Sequence, residues 1–303
     1  MSEQTTPWAI VVNPTKFDDL TAVRARVSAS CATHGWPVPA WYETTVEDPG
    51  SGQAREAVEA GARLVCPLGG DGTVRAVATA LLDGETSIGL LPGGTGNLLA
   101  RNLGLPIDDL EAALEVAVTG RDTPVDAGLV SFDEREPEVF LVMAGMGIDA
   151  EAVAGASVEL KRQLGWVAYA VSGLKSLVRP GFSVRVSAGG RRTSSQRAAT
   201  VMIGNCGELT AGLQLMPDAR VDDGLLDVVV LTPRSIFSWV RMAAYLVTRL
   251  RLGYSPVTHL QGPKVDIVAA HPIDAQVDGD PVGRVTTVTC AVRQGALRVR
   301  VRA

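Results

Sequence analysis

Short apolar runs alternate with stretches of helical spacing through the first 120 residues. Pro7 to Asn13 (PWAIVVN) is continuously apolar until Asn13-Pro14 ends it, because proline cannot continue a strand ladder. Asp19 to His34 then reads as an amphipathic helix, Pro39 to Thr44 as a second strand, and Gln53 to Gly61 as a helix leading into the strand Arg63 to Leu68. Farther on, Ile107 to Gly120 places Leu110, Ala113, Leu114 and Ala117 at helical spacing before a terminal glycine. Strand and helix in alternation predict a parallel sheet with crossover helices. From about residue 129 the pattern changes to strands in succession: Glu138 to Met143, Phe182 to Ser187, Arg197 to Asn205, Leu225 to Leu231, Lys264 to Ala269, Asp274 to Val277, Val285 to Val292 and Ala296 to Val301. Helical stretches interrupt them only at Val158 to Val178 and Ser235 to Leu252. That succession predicts a mainly antiparallel β-sandwich or barrel-like second domain. The expected organisation is an α/β domain over 1–128 and a β-rich domain over 129–303, joined near Asp126 to Val130.

Two of the predicted strands stop at glycines. RLVCPLGGDGT (Arg63 to Thr73) and IGLLPGGTGNLLARN (Ile88 to Asn102) each run from an apolar strand through paired glycines into a helical stretch. Such a turn presents backbone N–H groups at a helix N-terminus, where phosphate binds well. Gly69, Gly70 and Gly72 permit positive φ angles and leave no Cβ between backbone and ligand. A carboxylate at Asp71 would repel a triphosphate unless a divalent cation or a proton-transfer network intervened, which points to Mg²⁺ and phosphoryl transfer. The loop lacks the lysine and spacing of a Walker A motif and is not GxGxxG.

Composition narrows the class. A chain of 303 residues with 46% hydrophobic and 20% charged residues can bury a real core. Its first residues lack the basic and apolar regions of a secretion signal, and no apolar run approaches the ~18 residues of a bilayer span, so a cytoplasmic protein is expected. The net charge of −5 is unevenly distributed: residues 1–128 carry 8 Lys+Arg against 17 Asp+Glu, and residues 129–303 carry 20 against 16. An acidic chain of this kind does not suit bulk nucleic-acid binding, whereas a mildly basic second half fits either an anionic membrane surface or uneven surface decoration. Cys31, Cys66, Cys206 and Cys290 are irregularly spaced in mostly apolar surroundings and read as core thiols. In Ser235 to Leu252, Arg241, Arg249 and Arg251 stand beside Phe237, Trp239 and Leu246, which fits either a helix resting on an interface or a core helix with snorkelling arginines.

The motifs resemble the diacylglycerol kinase catalytic family, which includes bacterial diacylglycerol kinases, YegS-like lipid kinases and sphingosine kinases. Gly69-Gly70-Asp71-Gly72-Thr73 is a motif shared with NAD kinases, but Leu91-Pro92-Gly93-Gly94-Thr95-Gly96-Asn97 with the trailing Leu103 to Pro106 is far more restricted. Further matches are Asn13-Pro14, Gly145-Met146-Gly147-Ile148-Asp149-Ala150, the stretch Met216 to Asp227 (MPDARVDDGLLD), and Val277-Asp278-Gly279-Asp280. The resemblance therefore runs from Asn13 to Asp280.

It implies a phosphofructokinase- or NAD-kinase-like α/β domain that binds ATP and a β-rich domain that receives the lipid. Nucleotide contacts would come from Asn13, Thr45, Gly69, Gly70, Asp71, Gly72, Thr73, Gly94, Thr95 and Asn97. Thr44 and Thr45 both occupy the place of the family's nucleotide-contacting threonine, and Thr45 is the one we take. Asp126 would join a carboxylate and water network with Asp71, although on its own residues TPVDAG it is an ordinary turn aspartate. Asp149 would bind substrate or cap the following helix. A structural Mg²⁺ would use the Asp223 carboxylate with the Arg220 and Leu225 carbonyls. Family members usually read DGE at the place of Asp278-Gly279-Asp280, the glutamate being the proposed base for the acceptor hydroxyl. Here Asp280 takes that place, one methylene shorter, while Asp278 reads as structural. The chain also departs from the family at Thr15-Lys16-Phe17, where small residues are usual; Lys16 is either solvated or within reach of a phosphate.

The expected function is an ATP- and Mg²⁺-dependent lipid kinase, phosphorylating a lipid such as diacylglycerol to phosphatidic acid. Its partner would be lipid at a membrane surface, by peripheral contact at the inner face, with no nucleic acid; a homodimer is compatible with the sequence. The alternatives are NAD-kinase-like phosphorylation of a soluble substrate and a catalytically silent lipid-binding or regulatory protein.

Overall fold

The computed structural model describes residues 7–147, 181–193, 195–209, 214–232 and 257–303. The helical stretches predicted over 158–178 and 235–252, and Asp149, lie outside these residues. The chain divides into two compact units, Met1–Ala127 with Gln294–Ala303, and Gly128–Arg293.

In the first unit the strands are β1 (Trp8–Val12), β2 (Ala40–Glu43), β3 (Leu64–Gly69), β4 (Ser87–Ile88) and β5 (Leu91–Pro92). All pair in parallel: β1 lies between β2 and β3, and β3 in turn meets β4 and β5. Every residue of β1 and β3 is buried, as expected for strands covered on both faces. The crossovers carry α1 (Leu20–His34), α2 (Ser51–Glu59), α3 (Asp71–Leu81), α4 (Leu98–Asn102) and α5 (Leu110–Thr119). Asp19 caps α1 by accepting the Ala22 amide at 2.9 Å, Gly35 ends it at φ 70°, and Asp109 caps α5 through the Ala112 amide. One face of the sheet packs Ile10, Val12, Cys66 and Leu68 against Val27 of α1 and Leu114 of α5.

The end of the chain belongs with this unit. Arg298 and Val299 pair in parallel with Ser87 and Ile88, and the Asp83 amide donates to the Ala296 carbonyl at 2.8 Å. Arg300 lies 2.8 Å from Asp122 in an ion pair. The sequence places Ala296 to Val301 in the second domain because it follows Val285 to Val292 in the same succession of strands; here the two are one strand, β16, which runs on from the second unit into the first. Its buried residues Ala296, Leu297 and Val299 instead complete the first unit's sheet.

The second unit begins within β6 (Arg121–Phe132) and holds β7 (Glu138–Phe140), β8 (Met143–Met146), β9 (Phe182–Ala188), β10 (Arg191–Arg192), β11 (Gln196–Ala198), β12 (Thr200–Gly204), β13 (Leu226–Leu231), β14 (Val257–Gly262), β15 (Lys264–Val277) and the first part of β16 (Asp280–Val301). The order β14-β13-β12-β8-β15-β16 is antiparallel throughout. Strand β15 is long and irregular. Its residues 265–269 pair with β9, its residues 275–277 pair with β8, and a register shift lies between Val268 and Ile273. A bulge bends a strand and lets its two halves serve different neighbours. That is why Lys264 to Ala269 and Asp274 to Val277 read as two strands in the sequence and are one here. Strand β9 alternates buried and open positions from Phe182 to Ala188, sending Val184 and Val186 into a core with Phe132, Phe140, Ile203 and Ile267. The expected fold class holds: a parallel α/β unit and a mainly antiparallel β unit.

Candidate active site

The two glycine turns of the first unit are packed backbone against backbone. A Cβ added to Gly93 would lie 2.6 Å from the Gly69 nitrogen, and one on Gly94 would lie 2.6 Å from the Gly70 Cα. On Gly96 it would meet the Asp71 Oδ2 at 2.3 Å. Any side chain at these three positions would push the turns apart. None of Gly69, Gly70 and Gly72 has a positive φ, so the expected conformational role is not what selects glycine there. Close approach selects Gly69, whose Cβ would strike the Thr73 hydroxyl at 2.7 Å, and Thr73 itself is buried. Around Gly72 a Cβ would meet nothing within 4 Å. Space is therefore open over the first turn of α3 and closed beneath it.

Asp71, the first residue of α3, ties the turns together. Its Oδ1 accepts the Leu98 amide at 2.7 Å. Burial pushes its pKa above the ordinary carboxylate value, and the Leu98, Asp71 and Asn97 amides and the Arg101 guanidinium offset this only in part. The Arg101 Nε donates to the Gly96 carbonyl at 2.8 Å, holding the second turn from its far side. Asn97 is left-handed at φ 48° and is spent on its own turn: its Nδ2 donates to the Gly94 carbonyl at 2.9 Å and its Oδ1 accepts the Gly94 amide at 3.3 Å. Thr95 is exposed.

At the end of β1, the Asn13 amide donates to the Leu68 carbonyl at 3.0 Å, and its Oδ1 accepts from the Thr15 amide and hydroxyl. Asn13 thereby starts a short 3₁₀ turn, Pro14–Lys16, beside the end of β3. Thr44 is buried, its amide bonded to the Val12 carbonyl, while Thr45 is exposed and its Oγ1 accepts the Asp48 amide at 3.1 Å. Asp48 is a further functional side chain here, outside the motifs of the sequence. Its carboxylate accepts the Gly50 and Gly52 amides and so caps α2, a role that an Asp ahead of Pro49-Gly50-Ser51 signals.

Asp126 lies in β6 at 1% exposure, and its Oδ1 accepts the Gly295 amide at 2.7 Å. The sequence puts it in a turn; it occupies a strand and fastens the returning end of the chain. Asn13, the two glycine turns, Asp71, Thr73, Thr95, Asn97 and Asp126 thus all fall in the first unit, while Asp280, Arg220, Asp223 and Leu225 fall in the second.

In the second unit Asp278 and Gly279 form the two-residue turn between β15 and β16, both with positive φ (47° and 92°), as a tight hairpin of this hand requires. The Asp278 carboxylate accepts the Leu141, Val142 and Met143 amides at 3.0, 2.9 and 3.0 Å, and its own amide donates to the Met143 carbonyl at 2.8 Å. Asp280 opens β16 opposite Val277 and is exposed. A turn held this firmly presents Asp280 from a fixed base.

The stretch Met216 to Asp227 ends in an Asx turn: Asp223 Oδ1 accepts the Leu225 amide at 3.0 Å, with Gly224 at φ 72°. Arg220 pairs with Asp222 at 3.3 Å. Asp227 is pushed up to about 6, first by burial and then by the negative charges of Asp223 and Asp218, with Gln261 opposing. Carboxylates that raise one another carry surplus negative charge, which a hard divalent cation would relieve. Among the described residues no three His, Cys, Asp or Glu side chains converge, so such a cation would depend on carbonyl oxygens as well. The four cysteines are buried thiols that form no disulfide.

Comparison with known proteins matches residues 7–130 to the diacylglycerol kinase catalytic domain and residues 141–301 to the YegS C-terminal NAD kinase beta sandwich-like domain. A Pseudomonas aeruginosa (strain UCBPP-PA14) protein described as "probable lipid kinase YegS-like" is 36% identical over 256 residues, covering 80% of this chain and 78% of its own length. The diacylglycerol kinase of Bacillus subtilis (strain 168) is 25% identical over 243 residues, covering 79% of this chain and 78% of its own. A crystal structure of a diacylglycerol kinase from Bacillus anthracis str. Sterne superimposes with a TM-score of 0.77 at 21% identity, covering 100% of this chain and 99% of that one. An NAD kinase from Archaeoglobus fulgidus in complex with ATP reaches a TM-score of 0.52 at 13% identity, covering 97% and 94%, a likeness of fold.

Proposed function

The chain belongs to the diacylglycerol kinase and YegS-like lipid kinase family, and from that premise we propose that it transfers the γ-phosphoryl group of ATP to the hydroxyl of a membrane lipid, with diacylglycerol yielding phosphatidic acid as the candidate pair. The observation that carries this reading is the pair of glycine turns locked together by Asp71, open above Gly72 at the start of α3. Backbone amides at a helix start bind phosphate without a Cβ in the way.

In the reaction the bond between the γ-phosphorus and the bridging oxygen of ADP breaks as the lipid hydroxyl oxygen attacks in line. The hydroxyl proton passes to the Asp280 carboxylate, and ADP leaves with the electron pair. Mg²⁺ bound with the nucleotide would supply charge neutralisation near Asp71, where a half-buried carboxylate of raised pKa gains from a cation. A second Mg²⁺ at Asp223 and the Arg220 and Leu225 carbonyls would serve structure. The acceptor would be met at a membrane surface by peripheral contact. Among the described residues no helix is long and apolar enough to cross a membrane.

Incubation with γ-labelled ATP and separate pools of diacylglycerol, sphingoid bases and NAD tests the reading. Label in the lipid fraction is expected. Label in NAD would favour a soluble acceptor, and ATP binding without label in any pool would favour a silent lipid-binding protein.

A further inference from the structure

Lys16 stands where the two glycine turns meet. It closes the 3₁₀ turn Pro14–Lys16, which Asn13 starts through its bonds to the Thr15 amide and hydroxyl. Because the Asn13 amide is tied to the Leu68 carbonyl, that turn is fixed to the end of β3, one residue before the glycines begin. The Lys16 Cε consequently lies 3.7 Å from the point that a Cβ on Gly70 would occupy, and the Gly94 Cα lies 4.0 Å from the same point. The lysine stem runs over the junction of the turns.

No hydrogen bond or ion pair joins the Lys16 ammonium to a described residue. Asp19 caps α1 through the Ala22 amide and Asp71 holds the Leu98 amide, while Asp18, two residues on, is exposed and makes no described ion pair with it. The start of the eleven-residue α3 adds a second positive feature, the partial charge of the helix N-terminus. In its first turn the Thr73 and Val74 amides bond to the Gly70 carbonyl, and no described hydrogen bond uses the Gly72 amide. A lysine beside a helix N-terminus is repelled by it, unless an anion lies between and draws on both.

We infer that Lys16 is a positioning residue for the nucleotide phosphates, adding a charged donor to a site otherwise built from backbone amides. The inference rests on the kinase reading and adds to it a residue that departs from the small side chains usual at this place. A lysine here would carry charge as a point donor on a flexible stem, so arginine would substitute in part and methionine would not.

The test is calorimetric titration of the full chain and of Lys16→Met and Lys16→Arg with ATP and with adenosine at fixed Mg²⁺. A hydrogen bond to a charged group predicts that Lys16→Met weakens ATP roughly tenfold or more, leaves adenosine and the melting temperature unchanged, and lowers the salt dependence of ATP binding. Lys16→Arg should recover most of the loss. Unchanged ATP affinity in Lys16→Met would overturn the assignment, as would an equal loss for adenosine. Vesicles containing phosphatidylglycerol separate a nucleotide phosphate from a lipid one: loss of vesicle binding with ATP affinity intact would also overturn it. Wild-type protein that binds adenosine and ATP equally weakly would instead remove the kinase reading, and Lys16 with it.

Discussion

The Asp71 carboxylate accepts the Leu98 amide at 2.7 Å, so the residue that begins α3 also fixes the start of α4. One side chain therefore sets the spacing of both glycine turns. Its own burial raises its pKa, which separates its catalytic from its structural contribution.

Asp71→Asn keeps an oxygen that can accept the Leu98 amide and removes the charge. A carboxyl whose folded pKa is raised stabilises the fold most below its unfolded value of about 3.9, and that contribution is lost as pH rises through the folded value. At neutral pH the asparagine variant should therefore melt at or above the wild-type temperature. Turnover should fall on the order of 10²-fold or more if the charge serves a metal or the reacting phosphate. Near-normal kcat in a folded variant would contradict the nucleotide-metal reading.

Glycines 96 and 72 should respond differently to the same substitution. Gly96→Ala would place a methyl 2.3 Å from the Asp71 Oδ2, so the turns must separate and both stability and activity should drop. In Gly72→Ala the methyl meets no protein atom within 4 Å, so the melting temperature should hold while ATP affinity falls. Differential scanning fluorimetry with and without ATP distinguishes them; equal behaviour of the two variants would refute the division into closed and open sides.

The same division separates what the sequence makes legible from what only the folded chain shows. GGDGT and PGGTGN are legible because close approach leaves glycine as the only acceptable residue at Gly69, Gly93, Gly94 and Gly96, and glycine leaves a visible trace. Which glycine faces which partner is not, since Gly93, Gly94 and Gly96 are selected by residues more than twenty positions earlier. Strands such as Trp8–Val12 are legible from continuous apolar runs. The return of Ala296 to Val301 to the first unit is not, because a strand's pattern of buried positions reads alike beside any sheet. Asp126 shows the same limit: its partner is the Gly295 amide, 169 positions away.

The acidic turn near Asp223 predicts a response to metal. If a divalent cation sits there, Mg²⁺ should raise the melting temperature of wild type by mass action. Asp223→Ala should lose that response along with part of its stability, since the Asx bond to Leu225 goes too. A second readout is the Asp227 carboxyl, now pushed up to about 6 by burial and neighbouring charge, which Mg²⁺ should bring down. Identical melting curves with and without Mg²⁺ would remove the site.

The hairpin turn holds two aspartates with opposite expected behaviour. Asp278→Ala would leave the Leu141, Val142 and Met143 amides without their acceptor, a loss of about 3 kcal/mol for a carboxylate bonded to several backbone donors. Asp280 is exposed at the head of β16, so Asp280→Asn should leave the melting temperature nearly unchanged. As the base, however, Asp280 has no replacement in an amide, and activity should fall by roughly 10²- to 10⁴-fold. Asp280→Glu restores the residue usual in the family and should retain or raise the rate, because the turn beneath it is held by Asp278 and tolerates one added methylene at an exposed position. Phosphorylation of lipid at the wild-type rate by Asp280→Asn would move the base elsewhere, and Asp126→Asn would be the next variant to assay.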